Sequence, residues 1–226
     1  MASLIIRKNR PQALFSSISK PRVWLNHVSS RHSSYIMRPA SRTAPREVPT
    51  PLLFLSASGW DEGSRKGMTA FASMFPEKGF TCIECDLSMP DNSVANSEML
   101  MHHFESQLSS DIRLAGIPFP PVIFARSSAS LIAQTYISSN PASGLFLISP
   151  PSSNLVAKGF LPTPLREFDF EPKFPIAVMA SRQEMDLFKE ESRLGGDPEV
   201  DKIEVENVEG HEAFVAIKHW LDELGI

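Results

Sequence analysis

Six short apolar runs, at 52–55, 80–86, 122–125, 144–148, 174–180 and 202–208, punctuate the chain, and helical periodicity fills most of the gaps between them. Leu52-Leu53-Phe54-Leu55 is continuous, as suits a strand buried on both faces. The helical stretches gather apolar residues on one side. Met68, Phe71, Ala72 and Phe75 do so in 64–77, where Gly79 closes the helix; Met99, Leu100, Phe104 and Leu108 do so in 97–115; Phe214, Ile217, Trp220, Leu221 and Leu224 do so in 212–224. A polar helix is expected over 185–194, and the Pro- and Ser-rich stretch 149–173 reads as a loop. Strand alternating with helix predicts an α/β three-layer sandwich, with a mostly parallel sheet of about six strands covered on both faces. In such sheets the reactive groups collect in turns at the C-terminal ends of the strands. The 226 residues, 42% of them hydrophobic, suffice for one domain with a sizeable core.

Charge is distributed unevenly. Residues 1–46 hold nine basic residues and no Asp or Glu, and are rich in serine. That is the composition of a mitochondrial transit peptide. The expectation is therefore a disordered leader over 1–46, a folded domain over 47–226, and residence in the mitochondrion, in its matrix. A basic arm for nucleic acid is the competing reading, but residues 47–226 carry a formal charge of −13, which would repel phosphates. No apolar stretch is long enough for a transmembrane span.

The most informative segment runs from Pro121 to Ser138. A short strand, 122–125, stops at Arg126-Ser127-Ser128, and a helical pattern starts at once with Leu131, Ile132, Thr135 and Tyr136. A hydroxyl at so sharp a strand-to-helix turn needs small residues two positions either side, and Ala125 and Ala129 flank Ser127 at those offsets. The segment resembles the nucleophile elbow of the α/β-hydrolase family, with both glycines replaced by alanine. As an alternative, Ser127 is simply the N-cap of the helix.

That resemblance covers about residues 50–226 and implies a serine nucleophile, then an acid, then a histidine in chain order. A serine hydroxyl needs a base within hydrogen-bond reach, and the base needs an acid to orient it. Two histidines follow Ser127. His219 lies within the last helix, whereas His211, in Gly210-His211-Glu212-Ala213-Phe214, looks like the family's catalytic-histidine loop. The acid is Asp186 or Glu184: aspartate is commoner in the role, but the offset from Ser181 favours Glu184. The resemblance assigns the oxyanion donors to the backbone amides of Ser58 and Ser128. The turn Ser56-Ala57-Ser58 replaces the His-Gly of many relatives. The first two strands of a full-length member have no counterpart in 50–226, and a small or absent lid is expected.

The implied activity is that of a serine hydrolase cleaving a small carboxylic ester or thioester, without metal or cofactor. The missing glycines keep a second class open: the same fold retained as a non-catalytic binding or assembly protein. Cys82 and Cys85 form C-x-x-C, but an odd offset on a strand sends the two thiols to opposite faces, which argues against a shared metal or a disulfide.

Overall fold

The computed structural model describes residues 34–91, 93–171 and 173–226. Its centre is a seven-stranded sheet in the order β1-β3-β2-β4-β5-β6-β7. The strands are β1 (Ser34–Arg38), β2 (Val48–Ser56), β3 (Phe80–Asp86), β4 (Val122–Arg126), β5 (Gly144–Ile148), β6 (Ile176–Ala180) and β7 (Val200–Glu204). β2 through β7 run parallel, and β1 lies antiparallel on the β3 edge. The helices are α1 (Met68–Met74), α2 (Ser97–Ala115), α3 (Ala129–Ile137), α4 (Arg182–Glu191), the short α5 (Arg193–Gly196) and α6 (His211–Glu223).

Alternation along each strand builds the three layers. Leu53, Leu55, Ile123, Ala125, Leu145, Leu147 and Val178 point to the face covered by α2, α3 and α4. Leu52, Phe54, Phe124, Phe146 and Met179 point to the face covered by α1 and α6. On this second face Phe54, Phe124 and Phe146 occupy the same register on adjacent strands. Their rings stand 4.9 and 5.3 Å apart, and Trp220 of α6 meets Phe146 at 5.1 Å. The two cysteines divide as the offset requires, Cys82 facing α1 and α6 and Cys85 the opposite layer. Both are free, and burial pushes both thiols well up from their ordinary range.

The chain's entry into the fold corrects the expected domain boundary. β1 pairs with β3 from Ser34↔Asp86 to Arg38↔Cys82, and Arg38 ion-pairs with Glu84 at 2.5 Å. Further on, Arg46 donates to the Ile226 carbonyl at 2.7 Å. Residues 34–46 therefore belong to the domain and supply its seventh strand; residues 1–33 lie outside the described residues. Arg38→Ala is expected to lower the unfolding free energy by about 1 kcal/mol, measured by urea titration, and the loss should shrink in high salt.

Local departures from the expected elements have simple causes. The helix expected over 64–77 is broken into 3-10 turns at Glu62–Arg65 and Phe75–Lys78 around α1, with Gly67 and Pro76 at the breaks. The strand expected from 174 begins at Ile176, after Pro175, which has no N–H to give the ladder. The last strand sits at 200–204 rather than 202–208. The helix expected from 185 starts at Arg182 because Ser181 and Glu184 form a capping box. No helix among the described residues is long and apolar enough to cross a membrane.

Candidate functional site

β4 ends at Arg126, and the chain reverses at Ser127 with φ +52°. A non-glycine residue held at positive φ is strained, and such strain persists only where surrounding bonds fix it. Here Ser127 N donates to Ile148 O at 3.0 Å, and Ser127 O accepts from Ser130 N at 3.1 Å and from Ser130 Oγ. Ala125 and Ala129 are fully buried on either side, so the small-residue requirement is physical. The capping alternative does not hold, because Ser128 is the residue flanking α3 and makes no side-chain cap. Among the described residues Ser127 Oγ has no hydrogen-bond partner; it stands beside a cavity of about 300 Å³ lined by Ser127, Ser128, Ser149, Phe160, Glu184 and Leu187, among others.

The two amides expected to hold an oxyanion are both engaged by carboxylates. Ser128 N donates to Asp61 Oδ2 at 3.0 Å. Asp61 is 5% exposed and also N-caps the Glu62–Arg65 turn, accepting from Gly63 N at 2.8 Å. Ser58 N donates to Asp86 Oδ1 at 2.8 Å, and Ser58 Oγ to Asp86 Oδ2 at 2.6 Å. Ser56 Oγ adds a bond to Asp86 Oδ1 at 3.0 Å. The donors at this rim are thus already satisfied from within the protein.

The remaining expected residues share the rim but not a hydrogen-bonded chain. His211 is the first residue of α6; it is exposed, has no hydrogen-bond partner among the described residues, and stacks on Phe214 at 6.5 Å. Its loop is tied to the elbow one step away: Arg126 Nη2 ion-pairs with Glu209 Oε1 at 2.8 Å, and Arg126 Nη1 donates to Lys66 O at 2.7 Å. Glu184 Oε2 accepts from Ser181 N at 3.0 Å, Ser181 Oγ at 2.7 Å and Ser149 Oγ at 3.1 Å. Asp186 is exposed on α4, without a partner among the described residues. Neither carboxylate hydrogen-bonds to His211.

Two residues here escaped the sequence reading. Ser149, at the end of β5, has φ +43° and lines the same cavity, so both non-glycine positive-φ residues among those described converge on one place. Asp61 carried a readable signal as an N-cap before Glu62-Gly63, but nothing local aims it at Ser128, which is 67 residues away. The 149–171 segment folds back over this end of the sheet. Trp60 Nε1 donates to Phe160 O at 2.7 Å, and Ser97 N donates to Thr163 Oγ1 at 3.0 Å. Two larger clefts are present: one of about 430 Å³ near Leu161, which shares Phe160 with the elbow cavity, and one of about 510 Å³ near Phe119, away from the elbow.

No protein-family profile and no curated protein matches the chain. Solved structures do match its fold. A serine hydrolase without a lid from Xanthomonas campestris superposes with a TM-score of 0.58 at 11% identity, over 85% of this chain and 89% of that one. An α/β-hydrolase enzyme from a sediment metagenome of the Mar Chica lagoon, Morocco, gives 0.56 at 14% identity, over 86% and 96%. The esterase domain of a Rhodothermus marinus protein gives 0.52 at 11% identity, over 85% and 97%. The chain has the α/β-hydrolase fold.

Proposed function

We propose that this chain is a non-catalytic α/β-hydrolase-fold protein that binds a small molecule at the Ser127 cavity. The observation that carries the reading is the Asp61 carboxylate on the Ser128 amide, seconded by Asp86 on the Ser58 amide. An oxyanion donor is worth a factor of about 10²–10³ in rate, so occupying both forfeits roughly 10⁴–10⁶. A carboxylate in that place also repels the negative charge that acyl transfer develops there. A fluorophosphonate probe is expected to give no Ser127-dependent labelling, so that the wild-type chain and Ser127→Ala look alike on a gel. Labelling of the wild type that Ser127→Ala abolishes would sink the reading.

The second reading is a serine hydrolase for an ester or thioester. Ser127 would be the nucleophile, His211 the base, Asp186 or Glu184 the acid, and the Ser58 and Ser128 amides the oxyanion donors. The strained φ of Ser127 and its unpartnered Oγ beside a cavity favour it. It requires both carboxylates to withdraw and His211 to turn inward. For location we keep the mitochondrial matrix, with a leader ending upstream of Ser34. Six basic residues and no acidic ones in 1–33 support this. Import into isolated mitochondria, followed by N-terminal sequencing of the product, tests it.

A further inference from the structure

Resting on the binding reading, we propose that the Ser127 cavity takes a small amine: a primary ammonium group on an apolar body of about ten heavy atoms. Size follows from the volume of about 300 Å³, since each water-sized heavy atom occupies roughly 30 Å³ in a liquid. The apolar part follows from the mouth. Val156, Phe160 and Leu187 line the cavity and are 62%, 42% and 48% exposed, and Leu155 beside them is 57% exposed. Clustered exposure of large apolar side chains around a polar-floored cavity marks a ligand surface.

The floor supplies an independent sign of a ligand. Ser128 is 1% exposed and lines the cavity, yet its Oγ has no hydrogen-bond partner. A buried hydroxyl left unpaired costs stability, and rotation of the Ser128 side chain toward the cavity would let a ligand polar group satisfy it.

Charge selects the head group. Glu184 lines the cavity, and its three hydrogen bonds all fall on Oε2, leaving Oε1 without a partner among the described residues. Asp61, bonded to the Ser128 amide, is held by backbone amides and has no cationic partner among the described residues. The nearby Arg126 is committed to Glu209 and the Lys66 carbonyl. Among the side chains the structure describes, which do not include that of Lys158, no Lys, Arg or His lines the cavity. The lining Glu184 and the nearby Asp61, neither with a cationic partner among the described side chains, attract an ammonium group and repel a carboxylate or phosphate.

The test is calorimetric titration of the full chain at low salt with 4-phenylbutylamine, 4-phenylbutan-1-ol and 4-phenylbutyrate, which share one apolar body. The amine should bind about ten-fold more tightly than the alcohol, the acid should give no measurable binding, and added salt should narrow the gap. Glu184→Gln keeps a capping-box acceptor at that position, so the fold is preserved; there the amine should fall to within about two-fold of the alcohol. Equal binding of amine and acid, an undiminished preference in Glu184→Gln, or no binding of any of the three probes overturns the proposal. Failure of the non-catalytic reading appears separately, as Ser127-dependent fluorophosphonate labelling, and leaves the charge preference of the cavity measurable.

Discussion

Gly79→Ala is expected to cost about 4 kcal/mol or more and to lower the melting temperature by about 10 °C. Two effects add. Gly79 has φ +96°, where a Cβ is strained by roughly 1–2 kcal/mol. The added Cβ would also overlap the carbonyl oxygen of Arg46 and approach its carbonyl carbon to 3.0 Å. Backbone atoms cannot rotate aside as a side chain can, and these are pinned. Val48 N donates to Gly79 O at 2.8 Å, and Val48 pairs with Phe80 at the start of the β2–β3 ladder. Relief of the clash therefore displaces the segment that leads from β1 into β2. Gly116→Ala is the control, with φ +66° and nothing within 4 Å of the added carbon. It should cost only the conformational part, roughly 1–2 kcal/mol. Thermal melts of the two variants separate strain from overlap, and equal shifts would show that the Arg46 contact yields.

That contact also explains why the domain's beginning was misread. Arg38, Arg42 and Arg46 lengthen an acid-free run, so composition assigns them to a leader. The acids that answer them are distant in sequence: Glu84 meets Arg38, and Asp222 lies 3.6 Å from Arg46. Charge here is balanced in space and not along the chain. β1 gives no periodic signal either, because its first four residues are all exposed at a sheet edge. It is held by backbone pairing, which side-chain pattern does not reveal. The interior strands were legible for the opposite reason: each is apolar on both faces, and burial on both faces writes itself into sequence as a continuous run. The elbow was legible because its sterics are local, needing only Ala125, Ser127 and Ala129. What fills its amides was not legible, because hydrogen bonds to Asp61 and Asp86 depend on turns that only the assembled sheet brings together.

Asp61→Ala is the substitution on which structure and function meet, and it is expected to destabilise the chain by about 3 kcal/mol. Losing the N-cap of the Glu62–Arg65 turn accounts for about 1 kcal/mol. The rest comes from the Ser128 N–H, which would be left unpaired in a site 1% exposed, at about 1–3 kcal/mol. Asp61→Asn has one acceptor oxygen for two donors that sit on different carboxylate oxygens, Gly63 N on Oδ1 and Ser128 N on Oδ2; it keeps one of the two bonds and should lose about 1–2 kcal/mol by urea unfolding, less than alanine. The alanine variant also frees one oxyanion donor. If occupancy of that amide alone silenced a working nucleophile, Ser127 should become labelled by the fluorophosphonate in Asp61→Ala. The expected result is destabilisation without labelling. Freeing the amide does nothing for the proton on Ser127 Oγ, which has no base hydrogen-bonded to it, and His211 lies exposed against Phe214. A serine without a base within reach stays a hydroxyl. Labelling gained in Asp61→Ala and lost again in Asp61→Ala/Ser127→Ala would instead mean that His211 reaches Ser127 once the carboxylate is gone, and that Asp61 is what holds a hydrolase inactive.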